Sequence, residues 1–176
     1  MSMMTAARLM VSRAVLALID DAAKLQRVQI QLLADEERAD VERFQSYGFT
    51  SVPFAGAEGI ALSVGGSRSH MVVIAVEDRR YRLTSLEAGE VAIYTDEGDR
   101  IVLKRGREIG ITAGTRVIVD TPNTLIKGNL HVDGNTTCDG DVSDHSGSMQ
   151  EMRDTYNIHV HPETGGTTNA PNQEMS

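Results

Sequence analysis

Apolar residues return at Ile93, Ile101, Ile109, Val117 and Leu125, each eight positions after the last, and a second series follows at Leu103, Ile111 and Val119. No single helical face keeps that interval over such a length, and the local alternation in IVL, IGI and VIV is of strand type. The runs DEGD, KRGRE, TAGT and DTPN, rich in turn residues, separate the apolar positions. Short strands of fixed length joined by tight turns predict a β-solenoid or an intertwined β-helix. Each repeat offers roughly two apolar side chains. At ~25 cal/mol per Å² their burial does not offset the entropy of ordering one repeat. Winding several identical chains about one axis supplies the missing burial and pairs strand edges that a lone chain leaves open. Residues 129–148 keep the rhythm through Leu130, Val132 and Val142 but are rich in Asp, Gly and Ser.

Composition agrees with a thin β structure. Aromatic residues are 4% of the 176 and Trp is absent, so a large core anchored by rings is excluded. A net charge of −8 argues against nucleic acid, whose binding begins with clustered Lys and Arg on phosphates. The same sign disfavours electrostatic docking on an anionic membrane surface. Cys138 stands alone, which rules out an intrachain disulfide framework, points to a reducing compartment and gives this small side chain no redox role.

Four regions are expected. Residues 1–22 read as a short N-terminal helix with a partly amphipathic face that packs on a partner. The apolar run from Ala14 to Ile19 is far below the ~20 residues of a membrane span, and arginines interrupt any signal-peptide pattern. Residues 23–88 read as a compact OB-fold-like barrel with strands at RVQIQLL, GFTSVP, GIALSV, MVVIAV and RRYRLT. The charged segment ADEERADVERFQSYG between the first two is a short helix or a solvated excursion. The glycine pair in GGSRSH is an inter-strand turn, since the Lys and Ser/Thr of a phosphate loop are missing. Residues 89–148 form the repetitive shaft and 149–176 the tip.

The tip holds the one constellation with ligand chemistry. In YNIHVHPETGG, His159 and His161 are two apart and share a side if the backbone is extended. Such a pair can share a metal ion, but two imidazoles are too few to close a site alone. Pro162 is expected to end the strand, with GGTTNAP folding the chain back. Asp133, Asp139, Asp141 and Asp144 offer oxygens of the kind calcium prefers, yet their spacing is not that of an EF-hand and they read as a solvated acidic stretch.

SVPFAGAEGIALSVGGSRSHMVVIAVEDRRYRL, GEVAIYTDEGDRIVL and the HVHPETGGTTNAP tail together resemble the central spikes of contractile-tailed bacteriophages, in particular the baseplate spikes of Mu-like phages. The likeness covers roughly residues 25–170. It implies an all-β homotrimer with an OB-fold that joins baseplate hub proteins, a trimeric β-helix, and a needle tip. It also implies one iron ion at the tip, ligated by His159 and His161 of all three chains. Calcium or chloride in the shaft or tip ranks below it. The implied function is mechanical perforation of the host outer membrane during tail contraction, by a virion protein made in the host cytoplasm, with transient contact to that membrane and no catalysis.

Two other function classes compete. A metal-dependent β-barrel enzyme of cupin type needs a glutamate three to four residues beyond its His-x-His and a later histidine. Glu163 comes too soon and no histidine follows His161. A cell-wall hydrolase needs paired carboxylates in a cleft, for which the chain has no inserted domain. A receptor-binding needle calls for a chemically diverse tip, whereas this one ends mainly in Gly, Thr, Asn and Pro.

Overall fold

The computed structural model describes residues 10–32 and 36–175. Contacts divide the chain into two compact units, one through Val119 and one from Asp120. The first unit contains β1 (Val11–Asp20), β2 (Arg27–Leu32), β3 (Glu37–Arg43), β4 (Glu58–Ser63) and β5 (Met71–Glu77), which close a barrel in the order β1-β2-β3-β5-β4. Every pairing is antiparallel except β3 with β5, which run parallel over two residue pairs.

Period-two alternation makes the core. On β2, Val28, Ile30 and Leu32 point inward while Gln29 and Gln31 face out. They meet Ala14 and Leu16 of β1, Val41 of β3, Ala61 of β4, and Met71 and Val73 of β5. No ring enters this core, and its bore is narrow: a Cβ on Gly59 would stand 3.2 Å from the Leu16 side chain.

Three sequence expectations are corrected here. Residues 11–20 form a strand and not a helix. Ala14 and Leu16 are buried, Val15 is exposed, and a bulge between Leu16 and Leu18 lets the apolar run pair on both edges. Tertiary pairing overrides a local pattern that is helix-compatible. The remainder of the expected N-terminal helix, residues 1–9, lies outside the described residues. The charged segment becomes β3, with Val41 as its inward anchor and ion pairs outside: Glu36 meets both Arg38 and Arg68. GFTSVP and RRYRLT are not strands. β1 and β3 supply the two barrel strands expected there, so the barrel begins at Val11. The GGSRSH segment is the expected turn between β4 and β5.

Beneath the segment from Phe44 to Ala57 sits a buried polar pin. Arg43, only 8% exposed, donates to Gln26 Oε1 at 2.5 Å, to the Ser51 carbonyl at 2.7 Å and to Ser51 Oγ at 3.0 Å. Gln26, also buried, donates to Asp21 at 2.6 Å and to the Ser51 carbonyl at 3.1 Å. Burial pushes the guanidinium below its ordinary pKa, and the Asp21 charge opposes that shift.

β6 (Val91–Tyr94), β7 (Arg100–Leu103) and β8 (Ile109–Thr112) form an antiparallel meander. Its register stacks Ile93 on Ile101 on Ile111, and Val91 on Leu103 on Ile109. The eight-residue interval therefore places six large aliphatic side chains on one face, and all six are exposed. From there to Met149 the described residues form no further strand, only an isolated bridge between Ser143 and Ser148.

The second unit carries α1 (Met149–Ile158) and a hairpin of β9 (Pro162–Glu163) with β10 (Gly166–Thr167). Pro162 opens a strand here and does not end one. Proline is compatible with that place because a first strand residue has no ladder donor to lose.

Shortening Ile30 in the closed core tests the alternation directly. Ile30→Ala is expected to cost about 2–5 kcal/mol in urea unfolding of the full chain. Val15→Ala, on the outward face of β1, is expected to change stability by about 0.5 kcal/mol or less. Equal losses at both positions would contradict the inward and outward assignment.

Candidate functional site

Residues 149–176 begin with a well-capped helix. Ser148 Oγ accepts from the Glu151 amide at 3.1 Å, while the Glu151 carboxylate accepts from the Ser148 amide at 2.7 Å. This reciprocal capping box satisfies two amides that a helix start leaves without partners. Asp141 adds its carboxylate, which accepts from the Val142 amide at 2.9 Å and from the Gln150 amide at 3.3 Å. Asp144 accepts from the amides of Ser146 and Gly147. Two of the four aspartates weighed for calcium thus serve the backbone around the helix start, and Asp133 lies 2.9 Å from His131.

α1 ends where the imidazoles start. His159 is its C-cap, with an extended backbone at φ −67° and ψ 143°. Its Nδ1 lies 2.6 Å from the Tyr156 carbonyl, an acceptor, so the ring nitrogen there must donate. That donation fixes the tautomer of the neutral ring and leaves Nε2 as the nitrogen with a free lone pair, an arrangement common among metal-binding histidines. His161 is held by the hairpin: its amide donates to Thr168 Oγ1 at 2.9 Å, and its carbonyl accepts from the Thr168 amide at 2.9 Å. The two rings stand 5.2 Å apart, centroid to centroid, at 90°.

The structure therefore brings His159 and His161 together, although residues 159–161 lie outside any strand. Among the described residues, no group of three or more histidine, cysteine or carboxylate side chains within one chain is placed to hold a metal. Cys138 is exposed. The helix leading into the pair is absent from the sequence expectation, though Ser148-x-x-Glu151 is a capping-box signature visible in the sequence. Met175 is bonded back to α1, with its amide 2.8 Å from Asn157 Oδ1 and its carbonyl 3.3 Å from Asn157 Nδ2.

Two features stand out, the exposed six-residue apolar face and the adjacent imidazole pair. Residues 13–80 match the family described as Bacteriophage Mu Gp45, N-terminal. The chain is 39% identical to the baseplate puncturing device gp45 of Escherichia phage Mu, over 94% of this chain and 90% of that protein. It is 36% identical to the Mu-like prophage FluMu protein gp45 of Haemophilus influenzae, over 80% of this chain and 82% of that one. The chain belongs to the family of Mu-like phage baseplate spike proteins, typified by gp45.

The helix start gives a pH test. Asp141 accepts a hydrogen bond from the Ser148 hydroxyl and, with smaller effect, from the Gln150 and Val142 amides and the nearby Arg153 charge; these hold its pKa below the usual carboxylate value. A carboxylate depressed on folding contributes its stability in full above the ordinary value and loses it as pH falls through the lowered one. Amide protection at Met149 to Glu151 is therefore expected to fall on acidification through that window. Asp141→Asn should remove most of the dependence, and an identical acid response in both proteins would contradict this role.

Proposed function

We propose that the chain is the subunit of a homotrimeric spike in the virion tail baseplate, which perforates the host outer membrane mechanically when the tail contracts. The observation that carries the reading is the end-to-end relationship to a protein named a baseplate puncturing device. The barrel is the element that joins the baseplate hub proteins. The shaft is an intertwined β-helix, in which three copies cover the exposed face of Val91, Ile93, Ile101, Leu103, Ile109 and Ile111. Burial of that face supplies what a lone meander lacks, and neighbouring chains pair the open strand edges. Such a spike works by stiffness and by concentrating load, with no chemical step and no enzymatic activity.

His159 and His161 fit a shared metal. Their rings are adjacent, and His159 has its Nδ1 committed to Tyr156 with Nε2 free. Three copies offer six imidazoles, a set suited to octahedral Fe(II) and beyond the four ligands of a tetrahedral zinc site. When bound, the ion would supply a cross-link between chains through the imidazoles of His159 and His161. His161, tied to Thr168, passes that restraint to the hairpin, and His159 passes it to α1.

Two measurements test the reading separately. Light scattering of the full chain is expected to give the mass of three copies, and a stable monomer would end the spike assignment. Metal analysis is expected to find about one iron per three chains, with His159→Ala and His161→Ala each emptying the site while the trimer persists. A ratio near one per chain, or no metal in protein purified without chelator, would overturn the shared site and leave the trimer standing.

A further inference from the structure

All three phenylalanines of the chain lie on one segment, between β3 and β4, and none enters the core. Phe44, Phe49 and Phe54 are 53%, 64% and 51% exposed. With Ile74 and Tyr81 they line an open groove of about 730 Å³ on the barrel. Exposed rings on a slack loop would collapse onto any nearby apolar surface, but this loop is held. Arg43 and Gln26 grip the Ser51 carbonyl from below. On the far wall Arg80 donates to the Ala55 carbonyl and to Asp78 at 2.9 Å each, while its guanidinium lies 5.3 Å from the Tyr81 ring centroid. Phe54 and Tyr81 stand 5.4 Å apart. Burying a guanidinium costs free energy unless its donors are satisfied, and here Gln26 and the Ser51 carbonyl and hydroxyl of the aromatic segment satisfy those of Arg43.

The position of the groove names its occupant. Ile93 of β6 lines it, and the same Ile93 belongs to the exposed aliphatic face with Ile101 and Ile111. Groove and sheet face are thus one continuous apolar surface within the first unit. A copy of the chain that covers Ile93 arrives at the rim of the groove. Of the charged groups at its wall, Arg43 and Asp78 are bonded within the chain, and Asp96 is the third, beside Ile93 and Tyr94. Fixed aromatic side chains at modest entropy cost are what protein interfaces favour at their centres.

We infer that the aromatic groove of Phe44, Phe49, Phe54 and Tyr81 receives the neighbouring copy of this chain, so that the barrels themselves are joined between subunits. This rests on the trimeric reading, and the test separates the two. A photoreactive benzoylphenylalanine is placed in the full chain at Phe49, at Ile101 on the sheet face, or at Gln31 on the exposed outer face of β2. Irradiation of the purified protein is expected to give covalent products of two and three chains from positions 49 and 101, at several times the yield from 31. Products from 101 with none above the level of 31 from position 49 would overturn the groove assignment and leave the trimer intact. Products from 49 only in assembled tails, joined to a different baseplate protein, would overturn it in favour of that occupant. A monomer in light scattering, with no interchain product from 101, would remove the trimer and this inference together.

Discussion

An apolar face that one chain cannot cover governs how the rest of this molecule must be understood. The β6–β8 register aligns Val91, Ile93, Ile101, Leu103, Ile109 and Ile111 on one side, and only Val102 is buried on the other. The neighbours of Val102 in the ladder, Ala92 and Gly110, are small. The aliphatic bulk is thus on the open side, while the other side is small only in the row through Val102 and carries Tyr94, Arg100 and Thr112 in the next. Hydrophobic free energy is proportional to area removed from water, so this allocation is unfavourable for a lone chain and favourable for an assembly. The barrel differs in kind: its core of Leu16, Val28, Ile30 and Val73 is closed within one chain.

The sequence made this division legible because strand periodicity survives wherever a face is either fully used or fully withheld. The interval of eight residues marked the strands β6 to β8, whose register follows from equal strand and turn lengths, but Val117 and Leu125, which continue the interval, lie in no strand. In the barrel, GIALSV and MVVIAV were readable since each alternates or runs apolar between turns. β1 and β3 were not. AVLALI fits a helical stripe as well as a strand, and only a bulge between Leu16 and Leu18 reconciles it with two pairing edges. ERADVER has one buried apolar anchor, Val41, and long-range pairing decided its state against its composition.

In residues 149–176, proximity of the imidazoles was legible from a spacing of two, while the means of holding them was not. His159 is positioned by a helix C-terminus and His161 by a two-residue hairpin, elements too short or too polar to leave a hydrophobic period. Cap chemistry takes the place of packing there, and Ser148, Glu151 and Asp141 do what apolar side chains do in the barrel.

The pin under the aromatic segment has a consequence for the conditions in which the barrel keeps its shape. Arg43 bonds directly to an amide oxygen, a backbone carbonyl and a hydroxyl, all neutral groups. Ion pairs weaken when salt screens them and lose a partner when a carboxylate takes up a proton; the direct bonds of Arg43 to neutral oxygens are little exposed to either effect, and the Asp21 carboxylate, which accepts from Gln26, is the member of the pin that feels both. The grip of Arg43 on the Ser51 carbonyl and hydroxyl is therefore the part of the barrel surface least sensitive to ionic strength.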